Sequence, residues 1–183
     1  PEAWSLRWYR NMIGDCSAEV VSSTVPCSTK WMKGTVNSFY IGIIATVIAT
    51  VLGTMAALGL SRPHMPYKAL IMSILISPMI VPLIITAAGM FFFYARINLV
   101  YTFTGVILAH VALATPFVVI TVTATLVGFD MNMVKAAQSL GAKPMRTFFK
   151  VIMPLILPGI ISGALFAFIT SFDEVVIVMF MAS

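Results

Sequence analysis

Six of the 183 residues are Asp or Glu, eleven are Lys or Arg and two are His, so each charged side chain can be weighed by itself. Asp173 and Glu174 stand together directly after the uncharged run Val151 to Phe172. Two neighbouring carboxylates beside a long apolar stretch suit the attraction of a cation, and a polycationic solute is the kind of ligand that needs such anionic partners. The pair also reads as interfacial acids in water, or as partners for a base on another chain. His110 lies inside a second uncharged run, followed by Thr115, Thr121, Thr123 and Thr125. A lone imidazole there is expected to be a neutral hydrogen-bond partner between helices rather than a ligand or a proton relay. The two cysteines are Cys16 and Cys27, and their spacing leaves a disulfide and two free thiols both open. The motifs of enzymatic chemistry are missing: there is no Gly-x-x-x-x-Gly-Lys phosphate loop, no His-Glu-x-x-His, no Cys-x-x-Cys and no nucleophile elbow. We therefore expect no catalytic residue and no metal site, and energy for transport or other uphill work must come from another subunit or an ion gradient.

The elements that hold these side chains follow from composition. The chain is 60% hydrophobic and 9% charged, against roughly 45–50% and about 25% in a soluble domain, and its mean hydropathy is +1.03. These figures exclude an ordinary soluble fold, a disordered chain and a nucleic-acid module, and make the lipid bilayer the first partner. Setting the charges aside leaves the uncharged runs Thr35 to Ser61, Ala69 to Ala95, Ile97 to Phe129 and Val151 to Phe172, each long enough for the roughly 18–20 residues that cross hydrocarbon. Apolar residues are continuous rather than alternating, which excludes a β-barrel. The expected fold is all-α, a polytopic membrane helix bundle with spans near 35–61, 69–95, 99–127 and 147–172. Residues 1–34 are expected to be an extracytoplasmic segment and 35–183 the transmembrane domain.

Orientation follows from Lys and Arg near the span ends. Arg62, Lys68, Lys135, Lys143, Arg146 and Lys150 fall in the two loops placed in the cytoplasm, against Lys30, Lys33 and Arg96 on the other side. Pro78, Pro82, Pro116, Pro154 and Pro158 lie within spans and invite kinks. Gly42, Gly53 and Gly59, and the pair Gly159 and Gly163 four residues apart, mark faces for close helix approach. Phe91 to Tyr94 reads as an aromatic belt at the outer interface, while Trp4, Trp8, Tyr9 and Trp31 fit either a belt or contacts with an external protein. The chain opens at Pro1 rather than Met, shows no signal-peptide pattern and stops within an apolar run, so it is expected to be a piece of a longer polytopic protein.

The loop over about 128–146 carries the most information. Asp130 suits an N-cap, Met131, Val134, Ala137 and Leu140 recur at helical spacing, Gly141 suits a left-handed stop and Pro144 the first turn of the next helix. The prediction is a short amphipathic helix at the cytoplasmic surface. It rests on lipid headgroups in one reading and docks a soluble subunit in the other.

Lys135-Ala136-Ala137, three residues, Gly141, nine residues and then Val151-Ile152-Met153-Pro154 resembles the EAA loop of binding-protein-dependent ABC importer permeases. In that family Glu stands where this chain has Lys135, Ile where it has Val151, and Leu where it has Met153. Gly163 to Ile177, with its Ser171-Phe-Asp-Glu-Val-Val core, resembles the matching span of the spermidine/putrescine branch, and Ser5-Leu-Arg-Trp-Tyr9 the stretch after that branch's first span. The resemblance implies a type I ABC importer permease fold of about six spans, four of which fall in this sequence. It further implies a non-enzymatic transport subunit of the bacterial inner membrane, partnered by a second permease, a cytoplasmic ABC ATPase dimer and a periplasmic substrate-binding protein. No cofactor is implied for this chain, since the ATPase partner binds ATP. The ATPase-coupling loop would comprise Asp130, Met131, Met133, Val134, Lys135, Ala136, Ala137, Leu140, Gly141 and Pro154, with Asp173 and Glu174 as solute-path candidates. A polyamine is the expected solute, with an opine, a phosphonate or another small organic solute as the alternative. A gradient-driven secondary transporter, the other class considered, would need coupling residues inside the spans and no ATPase contact. A membrane scaffold without transport is the third.

Overall fold

The computed structural model describes residues 30–62, 65–128 and 130–182, with the backbone alone at Met131. Ser5 to Tyr9, Trp4, Trp8, Cys16 and Cys27 lie outside the described residues, as does most of the expected segment 1–34. The secondary structure of the described residues is helical throughout: α1 (Lys30–Leu60), α2 (Lys68–Ile80), α3 (Leu83–Arg96), α4 (Phe103–Val127), α5 (Met131–Ser139), α6 (Pro144–Thr147), a π-helical turn (Phe148–Ile152), α7 (Met153–Phe172) and α8 (Val176–Ala182). The residues up to Tyr40 and those from Ile41 onward form two separate units. The described part of the first is the exposed opening of α1, where the Thr35 hydroxyl donates to the Trp31 carbonyl at 3.0 Å.

In the second unit, α4 and α7 pack along one another, and their contact is built from small residues. Gly159, Gly163, Ala167 and Ser171 recur every four residues along α7 and are all buried. Along α1 the buried positions Ile41, Ala45, Ala49, Gly53 and Ala57 keep the same step, and side chains at this spacing share one helix face. Val118 of α4 sits between the two stripes. A methyl added at Gly53 would lie 2.7 Å from its Cβ, and one added at Gly163 would lie 3.0 Å from its Cα and 2.5 Å from the Thr121 hydroxyl. Glycine at both positions lets the backbones come close enough for dispersion contacts, which must replace the hydrophobic effect where the solvent is lipid.

Three helices, Lys30–Leu60, Phe103–Val127 and Pro144–Phe172 counted through the π turn, are long and apolar enough to cross a membrane. The single span expected over 69–95 is instead two helices, α2 and α3, bent by 103°. At 13 and 14 residues each is about 20 Å long and neither alone crosses the roughly 30 Å of hydrocarbon. The cause is Pro82. Its ring drives the preceding residue out of the helical region, and Val81 is extended at φ −71, ψ 136, followed by Pro82 itself at φ −53, ψ 129. Two consecutive extended residues end the helix. Pro78 has no such effect: the Ser77 hydroxyl donates to the Ile74 carbonyl at 2.8 Å, the acceptor that a residue-78 amide would have used.

Proline acts differently again at the start of α7. With no amide on Pro154, the Lys150 carbonyl loses its helical partner, and the chain takes up the fault as a π turn in which the Met153 amide reaches back five residues to the Phe148 carbonyl.

Candidate functional site

The expected cytoplasmic loop folds as a helix hung between α4 and α7. Asp130 caps α5 by accepting the Asn132 amide at 2.9 Å. At the other end the Ala142 amide donates to the Ala137 carbonyl at 3.1 Å and the Gly141 amide to the Gln138 carbonyl at 2.9 Å. This double reversal needs a left-handed residue, and Gly141 supplies it at φ +79. Pro144 then opens α6.

The exposed apolar face of α5 differs from the stripe read in the sequence. Val134 and Ala137 are half-buried, while Met133, Ala136 and Leu140 are exposed, Leu140 at 89% of its surface. Positions i, i+3 and i+7 lie on one side of a helix, so the face available to a partner is Met133, Ala136 and Leu140. The sequence pattern alone gave no way to separate the two stripes, because Val134 and Ala137 turn inward only once α5 folds against α6 and the π turn that follow it. Lys135 is exposed beside this face, as are Lys143, Arg146 and Lys150. Pro154, exposed, lies beyond the π turn and away from α5 in the chain.

The second cluster sits at the corner joining α7 to α8. α7 closes with the Asp173 amide donating to the Ile169 carbonyl at 3.0 Å. The two acids of the corner then part company. Asp173 is exposed, whereas Glu174 is half-buried and its Oε1 accepts the Ile177 amide at 2.9 Å in the first turn of α8. One carboxylate is held by its own backbone and the other faces outward.

His110 turns out to belong to this corner. Its Nδ1 lies 2.7 Å from the Ser171 hydroxyl, joining the first third of α4 to the last turn of α7, and only 2% of the residue is exposed. The sequence placed His110 as an interhelical partner but could not say which hydroxyl it meets, since 61 residues separate the two. Other hydroxyls on these spans, Thr115, Thr121 and Thr125 among them, bond to carbonyls of their own helix. Beside the corner, α8 packs its Ile177 and Met181 into a buried cluster with Val106, Ala109 and Leu113 of α4 and Ala87 and Tyr94 of α3. The turn before α4 is tied in as well, the Tyr101 amide donating to the Met181 carbonyl at 2.8 Å. Phe91 of the expected aromatic belt meets Phe180 edge-on at 6.5 Å, while Phe92 and Phe93 are exposed.

An open cleft of about 300 Å³ lies between α1 and α7, lined by Ile43, Thr46, Val47, Ile161, Ala164, Leu165 and Phe168. With one hydroxyl among seven lining residues it offers nothing to hold a charged solute or a phosphate. Among the described residues no three His, Cys, Asp or Glu side chains come together as metal ligands.

Membrane-length helices packed through small residues, with an exposed amphipathic helix slung between two of them, define a polytopic helical membrane protein. The chain belongs to the family described as binding-protein-dependent transport system inner membrane component, which matches residues 36–183. This is a family of transport permease subunits and not of enzymes. The chain is 32% identical over 151 residues to the spermidine/putrescine transport system permease protein PotC of Haemophilus influenzae, covering 82% of this chain and 59% of that protein. It is 34% identical over 144 residues to the trehalose transport system permease protein SugB of Mycobacterium tuberculosis, covering 79% and 53%. Against the sulfoquinovosyl glycerol transport system permease protein SmoH of Agrobacterium fabrum the figures are 28% over 138 residues, 75% and 48%. The chain thus spans between about half and three-fifths of the length of these relatives.

Proposed function

We propose that this chain is the membrane-spanning part of an importer subunit that moves a polyamine across the inner membrane, with ATP bound and hydrolysed on a separate cytoplasmic ATPase. The observation that carries the proposal is α5: an exposed apolar face of Met133, Ala136 and Leu140 on a helix capped at both ends between α4 and α7. Exposing Leu140 at 89% serves no purpose within the chain and fits a residue that inserts into a groove on a partner. Because α6 and the π turn join this helix directly to α7, displacement of α5 by the ATPase passes into a span, and rigid-body rocking of the spans follows. A second permease subunit and a periplasmic substrate-binding protein complete the proposed assembly.

The polyamine assignment rests on the likeness to PotC and, separately, on the outward-facing Asp173. A carboxylate beside a membrane span attracts ammonium groups, while a neutral sugar gains less from it. Relatives named for trehalose and sulfoquinovosyl glycerol mark the competing solute class. The test is uptake of labelled spermidine and labelled trehalose by the complete transporter reconstituted with ATP inside the vesicles. Saturable spermidine uptake, reduced in Asp173→Asn with unchanged assembly, is the expected result. Trehalose uptake without spermidine uptake overturns the assignment.

A further inference from the structure

The His110–Ser171 pair is expensive for a membrane bundle to keep. His110 Nε2 is buried with no hydrogen-bond partner, and an unsatisfied polar nitrogen inside an apolar core weighs against stability. Replacing both members of the pair with apolar groups of similar shape would leave packing intact and remove that unsatisfied atom. Stability alone does not account for the pair, whereas its position does. Ser171 is in the last turn of α7, two residues before Asp173, which has no side-chain anchor comparable to the one Glu174 has in the Ile177 amide. On the third side, Gly42 of α1 leaves room for this turn: a methyl there would lie 3.3 Å from the Phe168 ring and 4.0 Å from the Ser171 hydroxyl. The end of α7 is thus packed on α4 through Ala167 and tied to it by the His110–Ser171 hydrogen bond, while α8 is held by apolar packing on α4 through Ile177 and Met181.

We propose that His110 is a positioning residue for the solute path: through Ser171 it fixes the α7–α8 corner and so the direction in which Asp173 is presented. This rests on the proposed solute role of Asp173, and the experiment separates the two. In the complete transporter, with Cys16, Cys27 and every other native cysteine replaced by Ser and a single thiol introduced by Val175→Cys on the exposed part of the corner, two quantities are measured: the rate of maleimide labelling and the KM for labelled spermidine. His110→Leu and Ser171→Ala are each expected to change the labelling rate and to raise KM by about threefold or more, the size of one interhelical hydrogen bond in a bilayer. The double variant is expected to be no worse than either single one. His110→Asn, whose side-chain amide reaches the place of Nδ1, is expected to keep parental values. Thermal stability of the double variant His110→Leu with Ser171→Ala stays level or rises. Labelling and KM unchanged in both single variants, losses that add in the double one, or an Asn variant no better than Leu overturns the proposal. Should His110→Leu fail to reach the membrane, Ser171→Ala decides alone, since it removes one atom from a small side chain. Asp173→Asn with parental KM overturns the solute role of that carboxylate, and the labelling rates then judge His110 independently. A raised KM in Asp173→Asn with parental values in the His110 and Ser171 variants overturns the positioning role only.

Discussion

Val118 decides how closely three helices can approach, because Gly53 and Gly163 both face it from opposite elements. Gly159, one turn from Gly163, is closed off in the same way: a methyl there would collide with the Thr125 hydroxyl and lie 3.0 Å from the Thr125 Cβ. Gly159→Ala is therefore expected to destabilise the purified protein by about 1–3 kcal/mol, the usual range for overpacking a filled core. Thr125→Ala added to it should recover part of that loss, since the hydroxyl is the first atom in the way. Thermal unfolding of the two single variants and the double variant checks this, and purely additive losses would contradict the geometry. Gly159 and Gly163 were legible in the sequence as a four-residue step, whereas on α1 the sequence marked Gly42, Gly53 and Gly59 and the structure places Ile41, Ala45, Ala49, Gly53 and Ala57 on the shared face, with nothing close to Gly59. The partners of these glycines were not legible, because Val118, Thr121 and Thr125 look like any other β-branched residues of an apolar helix until the register of α4 against α7 is known. The corner acids show the same division. Their adjacency was plain in the sequence, but the capture of Glu174 by the Ile177 amide depends on where α7 stops and α8 begins.

Prolines of similar sequence setting produce three outcomes at the level of elements. Pro78 is absorbed by a serine hydroxyl, Pro82 breaks a span through 103°, and Pro154 generates a π turn. The number of prolines said only that kinks were available, and the backbone of the neighbouring residue decides which form each takes. The π turn has a mechanical consequence, since one extra residue in the helix rotates everything before it by about 100° relative to α7. Pro154→Ala restores an amide for the Lys150 carbonyl and is expected to convert the turn to ordinary α-helix, so that α5 presents Met133, Ala136 and Leu140 in a different direction. Amide exchange over residues 149–153 should slow and ATP-driven uptake should fall, while the amount of protein in the membrane stays the same. Unchanged exchange and uptake would show that the turn plays no part in coupling. The inward stripe of α5, Val134 and Ala137, and its outward one, Met133, Ala136 and Leu140, overlap in the sequence because a nine-residue helix offers apolar residues on both.

For the whole molecule, scarcity of charge made the membrane-length runs and their order readable without a structure, and the family likeness over residues 36–183 agrees with that reading. What composition could not supply is the break between α2 and α3, since uncharged runs look continuous to a hydropathy count. The proposed orientation makes a direct prediction. Ile97 and Met145 are both exposed and lie beyond opposite ends of α4, whose 25 residues extend about 37 Å. With Cys16, Cys27 and every other native cysteine replaced by Ser, a thiol introduced by Ile97→Cys should react with a membrane-impermeant maleimide added to intact cells, and one introduced by Met145→Cys only after the membrane is opened. The reverse pattern would invert the topology and move α5 away from the ATP-bearing side.

The central claim is that α5 couples this chain to an ATPase, and Leu140 is the residue on which it rests. It is the most exposed apolar side chain of that face, and an aspartate in its place would carry an unpaired charge into the interface, which is costly. The measurement is purification of the tagged full-length permease from membranes, parent beside Leu140→Asp, with the co-purifying ATPase and the ATP-driven uptake of labelled spermidine determined on the same preparations. The account predicts equal permease levels, with ATPase and uptake both lost from the variant. ATPase and uptake retained at parental levels in Leu140→Asp would contradict it.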